Sequence, residues 1–417
     1  MKKIKVLTIS DHPLSPSGVG TQSKYVIEAL LETGKFKFVS LGGALKHRDY
    51  RPMKTEEWKD DWVIFPVDGY GNPEMIRSLI RNERPDILWF MTDPRFYEWL
   101  WGIENEIRPL VPMVYYHVWD NYPYPKYNNK FYKSNDVIAC ISKLTHDIVK
   151  NTSPETESIY VPHAVDPRIF KKVDMPDIKQ KVCNIDDDKY IIFWNNRNAR
   201  RKMSGSLIFW FKEFLEKIGN EKAVLIMHTD PKDQHGQDLE RILEDLDLVE
   251  GQVRLSTQKL DPQNLAMIYN AVDLTVNISD AEGFGLATLE SLSCETPILV
   301  NMTGGLQEQV TNGELWFGAG LVPASKAIIG SQKVPYIYED RISGEDFVRE
   351  LENLYLIWKN DREKYIELGK NGRNHVENSY NFENFKKQWV DIMTGVHEKY
   401  GSWENRKHYK NWDLIEV

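Results

Sequence analysis

Cysteine is scarce in this 417-residue chain: Cys140, Cys183 and Cys294 lie far apart and form no C-x-x-C unit. That excludes a disulfide framework and a zinc-knuckle spacing, and leaves thiols expected to be reduced. Long apolar runs are missing too, since no stretch approaches the roughly 20 residues of a membrane-spanning helix. Behind Met1-Lys-Lys-Ile-Lys5 the apolar residues stop at Ile9, before Ser10, Asp11 and His12, which is too short for a secretory signal. A cytoplasmic protein is expected. Positive charge is not in excess: the formal net charge is −9, with a balanced first 170 residues and the acidity in the remainder. A global nucleic-acid or membrane-surface signal is therefore absent. Neither internal repeats nor low-complexity segments occur.

What is present is an ordinary globular composition, 41% hydrophobic and 28% charged, over a length greater than one core usually supports. Two domains are expected, 1–168 and 169–384, with a C-terminal helix, about 385–417, returning to the first. Short apolar runs at Ile4–Ser10, Phe36–Leu41, Trp62–Val67, Ile87–Phe90, Val111–Tyr116, Val137–Ile141 and Ser158–Val161 read as strands. Helical patterns such as Thr21–Glu32, Asn72–Asn82 and Lys143–Lys150 alternate with them, which predicts a doubly wound parallel sheet. Ligands of such sheets bind beyond the carboxyl ends of the strands. The second half repeats the pattern, with strands from Tyr190, Ala223, Val253, Val272 and Thr296. Less regular sequence runs from Gly313 to Tyr338, and three amphipathic helices follow over 344–360, 362–379 and 382–400.

Chemistry concentrates in Ser279–Glu290, where a β-rich run enters a loop holding Glu282, Gly283 and Gly285, and a helix leaves at Leu286. Strand, glycine turn and helix start together aim backbone N–H groups at an anion or a hydroxyl-rich ligand. Glu290 falls two turns into the helix, on the side of Glu282, where each carboxylate can accept paired hydroxyls. The plainer alternative is a dipole-complementing Glu282 and a solvated Glu290. Asn195–Ser204 is the densest cationic run and sits at a strand end. It reads as a solvated face or, better, as a diphosphate clamp, because Arg forks onto two oxygens and Lys adds a point charge. A second glycine loop, Pro13–Gly20, opens the first helix with Gly18 and Gly20. His117 ends a strand among aromatic residues, either as a packed histidine or as a ligand-facing one. The loop 121–133 after it mixes Tyr122, Tyr124, Lys126 and Lys130 with amides and offers an acceptor surface for a sugar or a nucleic-acid strand. Asp186-Asp-Asp188 precedes a strand instead of following one, so no metal site is expected there.

Glu282-Gly-Phe-Gly-Leu-Ala-Thr-Leu-Glu290, followed by Thr296–Val300 and Thr303-Gly-Gly305, resembles the E-x7-E segment of retaining GT-B glycosyltransferases, specifically glycosyltransferase family 4. Tyr160–Phe170 resembles that family's crossover between domains, with Ala164 where glycine is usual. The resemblance implies two Rossmann-like domains facing a central cleft and transfer of a hexose-type sugar from a nucleotide-sugar donor, UDP- or GDP-linked, to an acceptor hydroxyl with retention. It implies no metal and no cofactor beyond the co-substrate. It assigns the diphosphate to Arg197, Lys202 and the N–H groups of Phe284, Gly285 and Leu286. Glu282 takes the donor sugar, Glu290 the ribose, and His117 a place near the sugar. Gly18, Gly20 and Gly283 would approach the donor closely. The acceptor is expected to be a small molecule or a glycan, with a hydroxylated nucleic-acid base as an alternative. A GT-B phosphorylase, a sugar-nucleotide epimerase and a non-catalytic nucleotide binder share the scaffold.

Overall fold

The computed structural model describes residues 2–120, 122–332 and 334–409. Asn121 and the end of the C-terminal segment, 410–417, both included in the expectations above, lie outside the described residues. The chain forms two compact units, Met1–His163 with Glu383–Val417, and Ala164–Phe382. The boundary falls inside the Tyr160–Phe170 stretch, five residues before the expected 168.

The first unit holds an eight-stranded sheet. Its strands are β1 (Ile4–Asp11), β2 (Phe36–Gly43), β3 (Met53–Lys54), β4 (Trp62–Pro66), β5 (Ile87–Thr92), β6 (Met113–His117), β7 (Val137–Cys140) and β8 (Glu157–Tyr160). They lie in the order β3-β4-β2-β1-β5-β6-β7-β8, all parallel except the short edge strand β3. β1 and β5 to β7 are buried nearly throughout, as expected of strands covered on both faces. The helix Gly18–Leu31 starts earlier than its apolar pattern suggested. Ser17 caps it by accepting from the Gly20 N–H at 3.0 Å, so Gly18 and Gly20 form its first turn instead of a free loop. In the C-terminal segment Trp389 packs edge-on against Trp89 and Tyr116, and Arg406 pairs with the buried Asp136 at 2.7 Å.

The second unit is built on six parallel strands, β9 (Tyr190–Asn195), β10 (Ala223–His228), β11 (Val253–Ser256), β12 (Leu274–Asn277), β13 (Ile298–Asn301) and β14 (Gly318–Leu321). Their order is β11-β10-β9-β12-β13-β14. The chain winds outward from β9 to β11, then returns to the other side of β9 as β12. The topological switch point therefore lies between β9 and β12, where a doubly wound sheet opens a crevice. The core beneath it joins Ile192, Trp194, Leu225, Leu274 and Val276 to the helices Ser204–Ile218 and Gly344–Asn360. The irregular stretch after Gly313 contains β14 and, in addition, an antiparallel ribbon of β15 (Ser325–Ile329) and β16 (Ile337–Arg341). Its alternation is too short, and its turn signals too dispersed, for the sequence to have shown it. Among the described residues no helix is long and apolar enough to cross a membrane.

Candidate active site

The loops that follow β9 and β12, residues 196–203 and 278–285, meet beside the switch point. Lys202 comes off a single 3-10 turn, Arg200–Lys202, that ends at Met203 in the left-handed region, φ 59°. Its ammonium is buried and paired directly with the Glu282 carboxylate. Arg201 adds a second cation 3.8 Å from the same carboxylate, and its guanidinium donates to the Ala281 carbonyl. Burial alone raises the Glu282 carboxyl, but Lys202 and Arg201 outweigh it and hold the group at about 2.

Gly285, Gly305 and Gln309 shape the loop around Glu282. Gly285 stands at the start of the helix Leu286–Ser293 with φ 91°, a conformation open to glycine. Gly305 lies so close to the loop that a Cβ would come 2.7 Å from the Phe284 Cα and 2.8 Å from the Gly283 carbonyl oxygen. Its N–H donates to the Glu282 carbonyl at 3.1 Å. Buried Gln309 braces the turn, donating to the Phe284 carbonyl at 2.7 Å and accepting from Thr288 at 2.7 Å. The loop is thus preorganised by groups that do not belong to its own segment.

Glu290 occupies the second turn of the helix and takes a hydrogen bond from the Tyr269 hydroxyl at 2.9 Å, which in turn accepts from Asn195 at 3.0 Å. Asn195 ends β9, so this chain reaches from one strand end to the helix. Burial pushes the Glu290 carboxyl up to about 7, and the Tyr269 bond lowers it only in part. Two glutamates eight residues apart therefore differ in state: Glu282 is held ionised, whereas Glu290 titrates near neutrality.

Two expected site residues have other partners in this structure. Arg197 does not join Lys202 at Glu282. Its exposed guanidinium is forked onto Asp233, at 2.6 and 3.1 Å, with His235 at 2.7 Å. A carboxylate in the loop after β10 captures it, and the cation beside Lys202 is Arg201. His117 does not present a free ring nitrogen. It is 0% exposed, with Nδ1 3.0 Å from the Tyr115 hydroxyl and Nε2 2.8 Å from the Tyr132 hydroxyl. Tyr115 gives its own hydrogen to the Thr92 carbonyl, so Nδ1 donates to Tyr115 and Nε2 accepts from Tyr132. Burial pushes this imidazole down to about 3.

In the first unit Ser17 and Tyr70 both donate to Asp11 at the end of β1, at 2.6 and 2.7 Å, which fixes the start of the glycine-bearing helix. Tyr122 packs edge-on against Tyr124 at 5.3 Å, and Lys126 and Lys130 are exposed nearby in sequence. Sequence reasoning missed Arg201, Gln309, Asn195 and Tyr269. Tyr269, on the helix Pro262–Ala271, looks like an ordinary core aromatic in the sequence, and its phenol was the signal available. Among the described residues, no group of three or more His, Cys, Asp or Glu is arranged to hold a metal ion.

Comparisons with known proteins bear on the family and the fold. Residues 176–374 match the family model described as glycosyl transferases group 1. N-acetyl-alpha-D-glucosaminyl L-malate synthase of Bacillus anthracis is 22% identical over 186 residues, 44% of this chain and 45% of that protein. Alpha-monoglucosyldiacylglycerol synthase of Streptococcus pneumoniae is 23% identical over 241 residues, 53% of this chain and 52% of that protein. The chain thus spans about half the length of these curated relatives. Sucrose-phosphate synthase from Thermosynechococcus elongatus superimposes with a TM-score of 0.76 at 17% identity, over 95% of this chain and all of that one. Anabaena HepE, solved in complex with UDP and glucose, gives 0.68 at 14% identity, over 94% and 100%. At these identities the structural likeness speaks for the fold. The chain has the GT-B fold, and residues 176–374, within its second unit, are similar to the glycosyl transferases group 1 family.

Proposed function

We propose that the protein transfers a hexose-type sugar from a nucleotide-sugar donor to an acceptor hydroxyl, with retention of anomeric configuration and without a resident metal. The observation that carries this reading is the junction of Lys202, Arg201 and Glu282 at the switch point between β9 and β12. Departure of a nucleoside diphosphate develops negative charge, and two fixed cations beside the helix start at Leu286 would stabilise it. Losing one such donor from a preorganised site costs about 3 kcal/mol of barrier. Glu282, held as a carboxylate, is suited to accept sugar hydroxyls, and Glu290 to accept the ribose. Arg197 would reinforce the clamp after exchanging Asp233 for a phosphate oxygen.

HepE was solved with UDP and glucose, which makes UDP-glucose the first donor to test. The acceptor is proposed to be a small molecule or a glycan, with Tyr122, Tyr124, Lys126 and Lys130 as the candidate surface of the first unit. The test is release of nucleoside diphosphate from a panel of UDP- and GDP-sugars, with and without a chelator, followed by the anomeric proton coupling of the product. Turnover should survive chelation and be abolished in Glu282→Ala and in Lys202→Ala, both still folded. Wild-type donor turnover in both variants would refute the assignment.

A further inference from the structure

The β15–β16 ribbon stands outside both sheets, and an isolated two-stranded ribbon is marginally stable in water. What holds it is a set of bonds to the loops of the site just described. The Asp340 N–H donates to the Asp280 carbonyl at 2.8 Å. The Asp340 carbonyl accepts from the Asn301 side chain at 2.6 Å, and its carboxylate from the Thr303 hydroxyl at 2.7 Å. Glu339 points to the opposite face of the strand and receives both terminal nitrogens of Arg200, with Arg341 at 3.2 Å. It is 2% exposed. One strand end therefore grips the loop after β9 through Arg200, the loop after β12 through Asp280, and the end of β13 and the loop after it through Asn301 and Thr303.

The three consecutive cations divide accordingly. Arg201 and Lys202 face Glu282, whereas Arg200 faces the ribbon, 4.0 Å from Asp280. The Asp280 N–H donates to the Arg201 carbonyl at 2.8 Å, so any shift of Arg200 is passed directly to the neighbouring loop. A forked guanidinium–carboxylate pair fixes orientation as well as distance. We propose that the ribbon is a staple of the donor site and that Glu339 is its positioning residue, holding Arg200 so that Arg201 and Lys202 are delivered to Glu282. The role in transfer rests on the function proposed above; the staple itself does not. Burial and then Glu339 push the Asp280 carboxyl up to about 6, in keeping with acids crowded around one anchored cation.

The test compares the full-length wild type with Arg200→Gln, Glu339→Gln and the double variant. Amide hydrogen exchange without ligand should rise in segments 199–203, 279–283 and 339–341 and stay unchanged in β9, β10 and β12. UDP should bind about tenfold more weakly and kcat/KM should fall about a hundredfold, the scale of a misplaced positioning group. The double variant should be no worse than the worse single one, because both remove the same pair. Should Glu339→Gln fail to fold, Arg200→Gln removes the pair from its exposed end and carries the same expectation. Uniform loosening of the whole unit, or wild-type exchange in Arg200→Gln, would overturn the staple. A wild type that binds neither UDP nor GDP would overturn the donor-site reading instead, since the exchange pattern is read without ligand.

Discussion

Glu290→Gln should stabilise the protein at pH 8 and leave it nearly unchanged at pH 5. The carboxyl titrates at about 7 in the folded chain against an ordinary 4.5, because burial disfavours its charge. A raised carboxyl pKa means that the folded state holds the proton more tightly. Its contribution is fully present below the unfolded value and is lost as pH rises from about 4.5 through about 7. The difference of about 2.5 pH units corresponds to roughly 3 kcal/mol, of which about 2 kcal/mol falls between pH 5 and pH 8. The amide keeps the shape and cannot ionise, so the gap in unfolding free energy between variant and wild type should widen by that amount across this range. Urea unfolding at matched pH values measures it, with all other titrating groups cancelling in the difference. A gap that stays flat from pH 5 to pH 8 refutes the argument. On the reading proposed above the same ionisation bears on ligand binding, since a carboxylate accepts ribose hydroxyls more strongly than the neutral acid does. Uridine, which carries no phosphate to titrate, should bind the wild type more tightly above pH 7 and the Gln variant equally at both values.

Replacing His117 by Asn leaves the Tyr115 and Tyr132 hydroxyls short of a partner in a fully buried site. It should lower stability by about 1–3 kcal/mol. Because the imidazole titrates near 3, the pH–rate profiles of variant and wild type between pH 5 and pH 8 should keep the same shape. Arg197→Ala removes an exposed pair with Asp233, so unfolding free energy should change by less than about 1 kcal/mol. UDP affinity, read by titration calorimetry, should fall, but less than in Lys202→Ala, because Arg197 must first give up Asp233; an unchanged affinity would show that Arg197 stays on Asp233.

Period and spacing made much of this molecule readable in advance. Tyr190–Trp194 is apolar at every position, which only a strand covered on both faces tolerates, and it forms the centre of the second sheet. The three C-terminal helices carried enough turns of apolar spacing to be bounded correctly. Glu282 and Lys202 stood out because glycines and cations at strand ends have few other uses. What escaped was decided by tertiary partners that no local pattern announces. Arg197 and Arg201 are the same residue type four positions apart, and only the presence of Asp233 beside one and Glu282 beside the other sorts them. Tyr269 looks like any core aromatic until its hydroxyl is seen on Glu290. The ribbon was illegible for a similar reason, because its strands are held by Arg200 and Asp280 and hardly by their own sequence.

The direct pairing of Lys202 with Glu282 also bears on what the site rejects. An anion that offers charge alone, such as free orthophosphate, must draw the ammonium away and leave the carboxylate to the weaker, longer contacts of Arg201, Ser279 and Asn277. A guest bringing both an anionic group and sugar hydroxyls compensates each half at once. On the reading proposed above, this gives the site a built-in preference for the intact activated sugar over the many simpler phosphates of a cell.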